Sequence, residues 1–141
     1  MRTVINDRSR DEEIGRWVAE KVEPDWHEDN LCVAVEKDGA LTAGVMFNDF
    51  NGSNIHAHLR ADTPYSLTIG FLKEAFELAF KDVQARRVTA PVLQFTPHIL
   101  PVLAKMGFKC EANLKDYCTR GHLYLMVMWP DNCKYLEKHH G

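Results

Sequence analysis

Two histidines, His56 and His58, are the clearest candidates for acid–base chemistry in the sequence. They alternate with apolar residues across residues 55–59, which is typical of a β-strand whose two faces differ. A spacing of two places both rings on one face. An imidazole with a pKa near 6.5 could take a proton from an amine, directly or through water. The alternative is that both are edge or surface histidines without a chemical role.

Cysteine chemistry and metal binding are less well supported by the spacing. Cys118, His122 and Cys133 are possible zinc ligands, but their separations match no common zinc pattern, so we predict no metal site. Cys118 lies beside a predicted turn and remains a candidate nucleophile. The four cysteines contain no C-x-x-C pair, and we expect them to be reduced in a cytosolic chain.

The histidine strand is predicted to be the third of three antiparallel strands in succession. Apolar runs on both sides of Asp38 and Gly39 predict a hairpin, and a polar turn at residues 51–54 leads into the histidines. Before them, residues 2–5 predict a short strand. A helix is predicted from residue 10 to 22, because Ser9 and Glu12 have the spacing of a capping box.

Two helices are predicted to alternate with the remaining strands. Thr63 as N-cap and Pro64 at the first helical position begin a helix that ends near residue 82. A strand follows at residues 86–93, and Pro91 predicts that one side of it is unpaired or splayed. A short helix ends at Gly107, and strands at residues 108–117 and 123–129 complete the order β-α-β-β-β-α-β-α-β-β.

The bulk composition fits one globular domain. The chain has 141 residues, of which 45% are hydrophobic, so we assign residues 1–136 to a single domain and residues 137–141 to a tail. The net charge of -3 disfavours nucleic acid as a partner. No apolar run is long enough to cross a membrane and no signal peptide is recognisable, so we expect a cytoplasmic protein.

The chain resembles the GNAT superfamily of N-acyltransferases over nearly its whole length. Residues 104–112 read AKMGFKCEA, which is similar to the family's LGF-x-x-EG junction between a short helix and an antiparallel strand. Residues 50–58 read FNGSNIHAH and resemble a segment of the short GNAT proteins that phages encode. The resemblance implies an α/β fold with a mixed, mostly antiparallel sheet flanked by helices on both faces. It also implies a phage or prophage origin, and in that case the host cytoplasm.

Acetyl-CoA is the co-substrate that the resemblance implies. In the family it enters a V-shaped gap between the fourth and fifth strands, and backbone N–H groups at the next helix N-terminus hold its pyrophosphate. The family pattern Q/R-x-x-G-x-G/A keeps only its last glycine here, with Tyr65 and Thr68 at earlier positions. The implied contacts are Thr63, Ser66, Thr68 and Gly70. A plain capped helix without ligand is the alternative.

The fifth strand and the helix after it supply the other implied contacts. Backbone N–H groups of Val92, Leu93 and Gln94 would face the thioester carbonyl. Thr96 stands where the family has an asparagine that contacts the pantetheine arm, and Leu103 stands where many members have an acidic tyrosine. His56 and His58 would then be the catalytic groups.

The resemblance therefore predicts an acetyl-CoA-dependent N-acetyltransferase. An amine on a small molecule or a peptide would attack acetyl-CoA directly, without a covalent enzyme intermediate. The alternative is a non-catalytic GNAT-fold protein that acts as a binding or structural component of a phage. A homodimer is compatible with either function.

Overall fold

A computed structural model describes residues 1–94 and 98–136 of the chain. The strands are β1 Arg2–Ile5, β2 Leu31–Lys37, β3 Ala40–Asn48, β4 Asn54–Ala61, β5 Arg87–Leu93, β6 Lys109–Cys118 and β7 Gly121–Met128. The helices are α1 Asp11–Ala19, α2 Ile69–Glu77 and α3 Ile99–Met106. A π-helical turn, Leu78–Asp82, extends α2. The predicted order of strands and helices is confirmed.

All seven strands form one sheet in the order β1-β2-β3-β4-β5-β7-β6. Every neighbouring pair is antiparallel except β4 and β5, which are parallel because α2 crosses between them. The predicted mixed, mostly antiparallel α/β sheet is confirmed. The parallel contact is short and consists of the pairs Asn54 with Arg87, Ile55 with Val88 and His56 with Thr89.

Helices cover both faces of this sheet, as predicted. Alternate residues of β2 show the two cores: Val33 and Val35 pack in the cluster that includes α2 and α3, whereas Cys32 packs with α1. The α1 side is tightly packed. A Cβ atom on Gly15 of α1 would overlap the ring of Trp26. Among the described residues, no helix is long and apolar enough to cross a membrane.

The start of α1 differs from the prediction. The Ser9 and Glu12 capping box does not form, because the Ser9 hydroxyl donates to Asp7 instead and Glu12 pairs with Arg16. Asp7 caps a single 3-10 turn that precedes α1. The helix itself ends at Ala19, three residues earlier than predicted.

The start of α2 also differs. Thr63 and Pro64 begin a separate 3-10 turn, Pro64–Ser66, rather than the helix. The N-cap of α2 is Thr68, whose hydroxyl accepts a hydrogen bond from the Phe71 N–H at 3.2 Å. The segment after β4 is therefore a turn followed by a capped helix.

Candidate functional site

The gap between β4 and β5 is the main irregularity of the sheet. Pairing stops after His56 and Thr89, although β4 continues to Ala61 and β5 to Leu93. Beyond this point β5 pairs only on its other side, with β7. The prediction that Pro91 marks an unpaired side of its strand is confirmed. The two strands therefore border an opening between the two halves of the sheet.

Both predicted catalytic histidines lie beside the last parallel pair. His56 belongs to that pair and His58 is the next residue on the same face of β4. Their ring centroids are 6.5 Å apart. The prediction that the two rings share a face is confirmed, and this is the face that carries α1.

His58 is held inside the protein. It is 8% exposed, its Nε2 lies 3.0 Å from Oδ1 of Asn48, and its ring also bonds to the backbone of Glu23. Burial, with a smaller contribution from His56, lowers the pKa of His58 to about 4. A neutral imidazole has a single N–H, so His58 can be the donor in only one of these two hydrogen bonds. The prediction of a proton acceptor that titrates near pH 6.5 is therefore wrong for His58.

His56 is more accessible than His58 and has a carboxylate beside it. Its side chain is 35% exposed, and its Nδ1 lies 3.8 Å from Oδ2 of Asp49. At this distance the negative Asp49 carboxylate would stabilise the positive charge of a protonated His56 ring. Of the two histidines, His56 therefore combines partial exposure with a neighbouring carboxylate.

A recess of about 700 Å³ lies at the end of the sheet where β2 begins and β3 ends. Asn48 and Asp49 line it, and these two residues also contact His58 and His56. Two further carboxylates, Asp25 and Asp29, face the same space, and no lysine or arginine is among the described lining residues. The sequence interpretation missed this recess. The polar pair Asn48 and Asp49, directly after an apolar run, was the available signal.

At the start of α2, the four predicted cofactor contacts differ in accessibility. Ser66 is fully buried and its hydroxyl donates to Thr42 at 2.6 Å, so it does not face a ligand and this prediction is wrong. The hydroxyls of Thr63 and Thr68 accept backbone hydrogen bonds of their own turns. Gly70 is exposed, and a Cβ atom there would meet only Val4, at 3.8 Å. The Gly70 surface therefore has room for a ligand at the helix N-terminus.

The predicted contacts on β5 lie along the antiparallel ladder with β7. Gln94 is exposed, but its N–H donates to the carbonyl of His122 at 2.9 Å, so it is not the predicted thioester donor. Backbone N–H groups point alternately to the two sides of a strand, so the N–H of Val92 also points toward β7. The prediction for these two N–H groups is wrong. The N–H of Leu93, which lies between these two residues, points toward β4. Thr96 lies outside the described residues.

The remaining candidate residues do not form a further site in the part of the chain that the structure describes. Leu103 is 3% exposed on α3 and offers no proton donor. Cys118 is an exposed free thiol near the β6–β7 turn. Across residues 1–94 and 98–136, no group of three histidine, cysteine or acidic side chains is placed to hold a metal ion.

Comparison with known proteins gives matches in structure only. No protein-family model matches the sequence, and no curated protein matches it either. A mutant of the spermidine N-acetyltransferase SpeG from Vibrio cholerae superposes with a TM-score of 0.71 at 13% identity, over 95% of each chain. The ribosomal-protein-S5-alanine acetyltransferase from Vibrio fischeri gives 0.66 at 15% identity, over 94% of this chain and 95% of that one.

A third solved structure is an acetyltransferase of the GNAT family from Streptococcus pneumoniae. It gives a TM-score of 0.68 at 14% identity, and the match covers 92% of this chain and 99% of the other. The fold is that of the GNAT acetyltransferases. At these identities the likeness establishes the architecture, and the chemistry has to be argued from the residues of this chain.

Proposed function

We propose that the protein is an N-acetyltransferase that transfers the acetyl group of acetyl-CoA to a positively charged amine. The observation that supports it most directly is the parallel contact of β4 and β5, which ends after three residue pairs and leaves a gap beside α2. Structural neighbours with this architecture are named as acetyltransferases of spermidine and of a ribosomal protein, both of which supply an amine.

The side of the gap that carries α2 and α3 is the proposed site of acetyl-CoA. Gly70 leaves the N-terminal surface of α2 open, and the backbone N–H groups of a helix N-terminus favour a pyrophosphate. The hydroxyls of Thr63 and Thr68 flank this surface. Acetyl-CoA supplies an activated thioester, and the protein's task is to hold that thioester beside the amine.

The recess at the paired end of β4 and β5 is the proposed amine site. The carboxylates of Asp25, Asp29 and Asp49 favour a cationic acceptor in the recess. His56 takes a proton from the ammonium, and Asp49 stabilises the resulting imidazolium. The amine nitrogen then forms a bond to the thioester carbon, the carbon–sulfur bond breaks, and the sulfur leaves with the second proton of the amine. His58 stays neutral and supports the strand next to His56.

Binding of acetyl-CoA is the first test. Isothermal titration should give a dissociation constant, and a hundredfold excess over it should raise the melting temperature by about 5–10 °C through mass action. Gly70→Glu places a negative charge against the pyrophosphate and should abolish binding, whereas Gly70→Ala adds a methyl group where space exists and should retain it. No binding at millimolar acetyl-CoA in the unaltered protein would refute the proposal.

Transfer is the second test. Spermidine and a peptide with an N-terminal alanine serve as acceptors, with the acetylated product detected by mass spectrometry. His56→Gln should lower kcat about 100-fold or more at neutral pH and leave the dissociation constant of acetyl-CoA unchanged. Asp49→Asn should raise the KM of the charged acceptor and lower kcat. Equal rates in both variants and the unaltered protein would exclude this amine site.

A further inference from the structure

Two alanines face each other where the pairing of β4 and β5 ends. Ala57 follows His56 on β4, and Ala90 follows Thr89 on β5, so they occupy the first position past the last parallel pair. Both side chains point toward α2 and α3, and both are buried. The deepest part of the gap therefore has the smallest side chains on its two strands.

A cavity of about 30 Å³ lies over these alanines. Leu103 and Met106 of α3 close it on one side, and Phe71 and other residues of α2 close it on the other. Every residue of its wall is apolar. An apolar cavity of this kind stays dry, and this one has room for about two water-sized groups.

The position and chemistry of the cavity restrict its occupant. It holds no polar group that could orient an amine or a carbonyl. It adjoins the innermost point of the gap, which is where the thioester must lie to meet an amine beside His56. An occupant must therefore be a short hydrocarbon attached to the thioester. Leu103, in the place of the family's tyrosine, keeps this end of the gap apolar.

We propose that this cavity can receive the tail of a longer acyl group, so that the protein accepts propionyl-CoA and butyryl-CoA as well as acetyl-CoA and binds butyryl-CoA most tightly. The proposal rests on the proposed acyltransferase function and specifies its donor. The bonds that form and break are those of acetyl transfer, because the extra methylene groups take no part in the reaction. Each methylene that leaves water for the cavity favours binding, so two should strengthen it about tenfold.

Isothermal titration with free CoA, acetyl-CoA, propionyl-CoA and butyryl-CoA tests the proposal without a known acceptor. In the unaltered protein, butyryl-CoA should bind about tenfold more tightly than acetyl-CoA. Ala90→Val fills the cavity from the sheet and should remove this preference, while the affinity for acetyl-CoA stays within about twofold. Leu103→Phe fills it from α3 and should do the same, which provides a second variant if the first does not fold.

Ala43→Val is the matched control. Ala43 is a buried alanine of the same sheet that packs in the same core but does not line the cavity. Its variant should keep the tenfold preference. Equal or tighter binding of acetyl-CoA, or a preference that persists in both filled variants, would overturn the acyl cavity. If neither free CoA nor any ester binds, the acyltransferase proposal itself fails.

Discussion

The Nε2 atom of His58 lies 3.0 Å from Oδ1 of Asn48, which joins the middle of β4 to the last residue of β3. Both side chains are more than nine-tenths buried. The contact places a titratable ring inside the protein, next to a half-exposed histidine of the same type. Burial therefore lowers the pKa of His58 to about 4.

His58 should make the protein less stable in acid. Its pKa is about 4 in the folded state and near 6.5 in the unfolded chain, so below pH 6.5 the unfolded chain binds a proton that the folded protein does not. The stabilisation is complete above pH 6.5 and is lost as the pH falls to 4. We expect the free energy of unfolding to decrease by about 3 kcal/mol from this group over that interval, measured by urea denaturation.

His58→Gln is the comparison variant for this titration. Glutamine keeps the polar contact with Asn48 but does not titrate, so its unfolding free energy should change less between pH 7 and pH 4. His56→Gln should leave most of the acid sensitivity in place, since His58 remains. An equal pH dependence in the unaltered protein and in His58→Gln would contradict the assignment.

Two glycines in helices should respond to alanine in opposite ways. Gly15→Ala places a Cβ atom in overlap with the Trp26 ring, and the displacement of that ring should cost about 1–3 kcal/mol. Gly70→Ala meets only Val4, at 3.8 Å, and should gain up to about 1 kcal/mol from helix propensity. Thermal denaturation of the two variants distinguishes steric overlap with Trp26 from the gain in helix propensity. A stabilised Gly15→Ala would show that the Trp26 ring does not occupy this position in solution.

Arg60 should contribute more to stability than a surface arginine does. Its guanidinium donates to the carbonyl of Trp17 at 2.6 Å, forms a two-point ion pair with Asp62, and stacks 3.7 Å from the Trp17 ring centroid. We expect Arg60→Met to lower the free energy of unfolding by about 2 kcal/mol.

Arg16 is the control for Arg60, because its side chain is 67% exposed and pairs with an exposed Glu12. Arg16→Met should change the free energy of unfolding by less than about 0.5 kcal/mol. The same small change in both variants would show that the Arg60 contacts are not maintained in solution.

The four thiols should react with an aromatic disulfide reagent in two groups. Cys110 and Cys118 are exposed, whereas burial raises the pKa of Cys32 to about 12 and also raises the pKa of Cys133. Two thiols should react rapidly in the native protein and four in denaturant. Cys118→Ser should reduce the rapid group to one. Rapid reaction of all four without denaturant would indicate that the core opens readily.

The sequence predicted the strand neighbours well because they follow from local signals. The turn at Asp38 and Gly39 predicts a hairpin, and the helix between β4 and β5 provides the crossover connection that a parallel pair needs. The start of α2 was misplaced because Thr63 and Thr68 are equally good N-cap residues. The choice depends on the contact of Ser66 with Thr42, which is 24 residues away in the sequence.

The candidate site was predictable only in part. A spacing of two was sufficient to place His56 and His58 on one face. It could not show that Asn48 and the backbone of Glu23 would enclose one of the rings, since these come from the preceding strand and from the segment after α1. The carboxylates of the recess are likewise dispersed in the sequence and meet only in the folded chain.

The three parallel residue pairs between β4 and β5 also have a mechanical consequence. They are the only ladder hydrogen bonding described between a four-stranded part, β1 to β4, and a three-stranded part, β5 to β7. One apolar core on the α2 and α3 side contains residues of both parts, so packing holds them together more than backbone hydrogen bonding does. Amide hydrogen exchange should be faster at the three parallel pairs than within either part. A ligand that bridges the two parts would stiffen the whole sheet and slow that exchange on both sides.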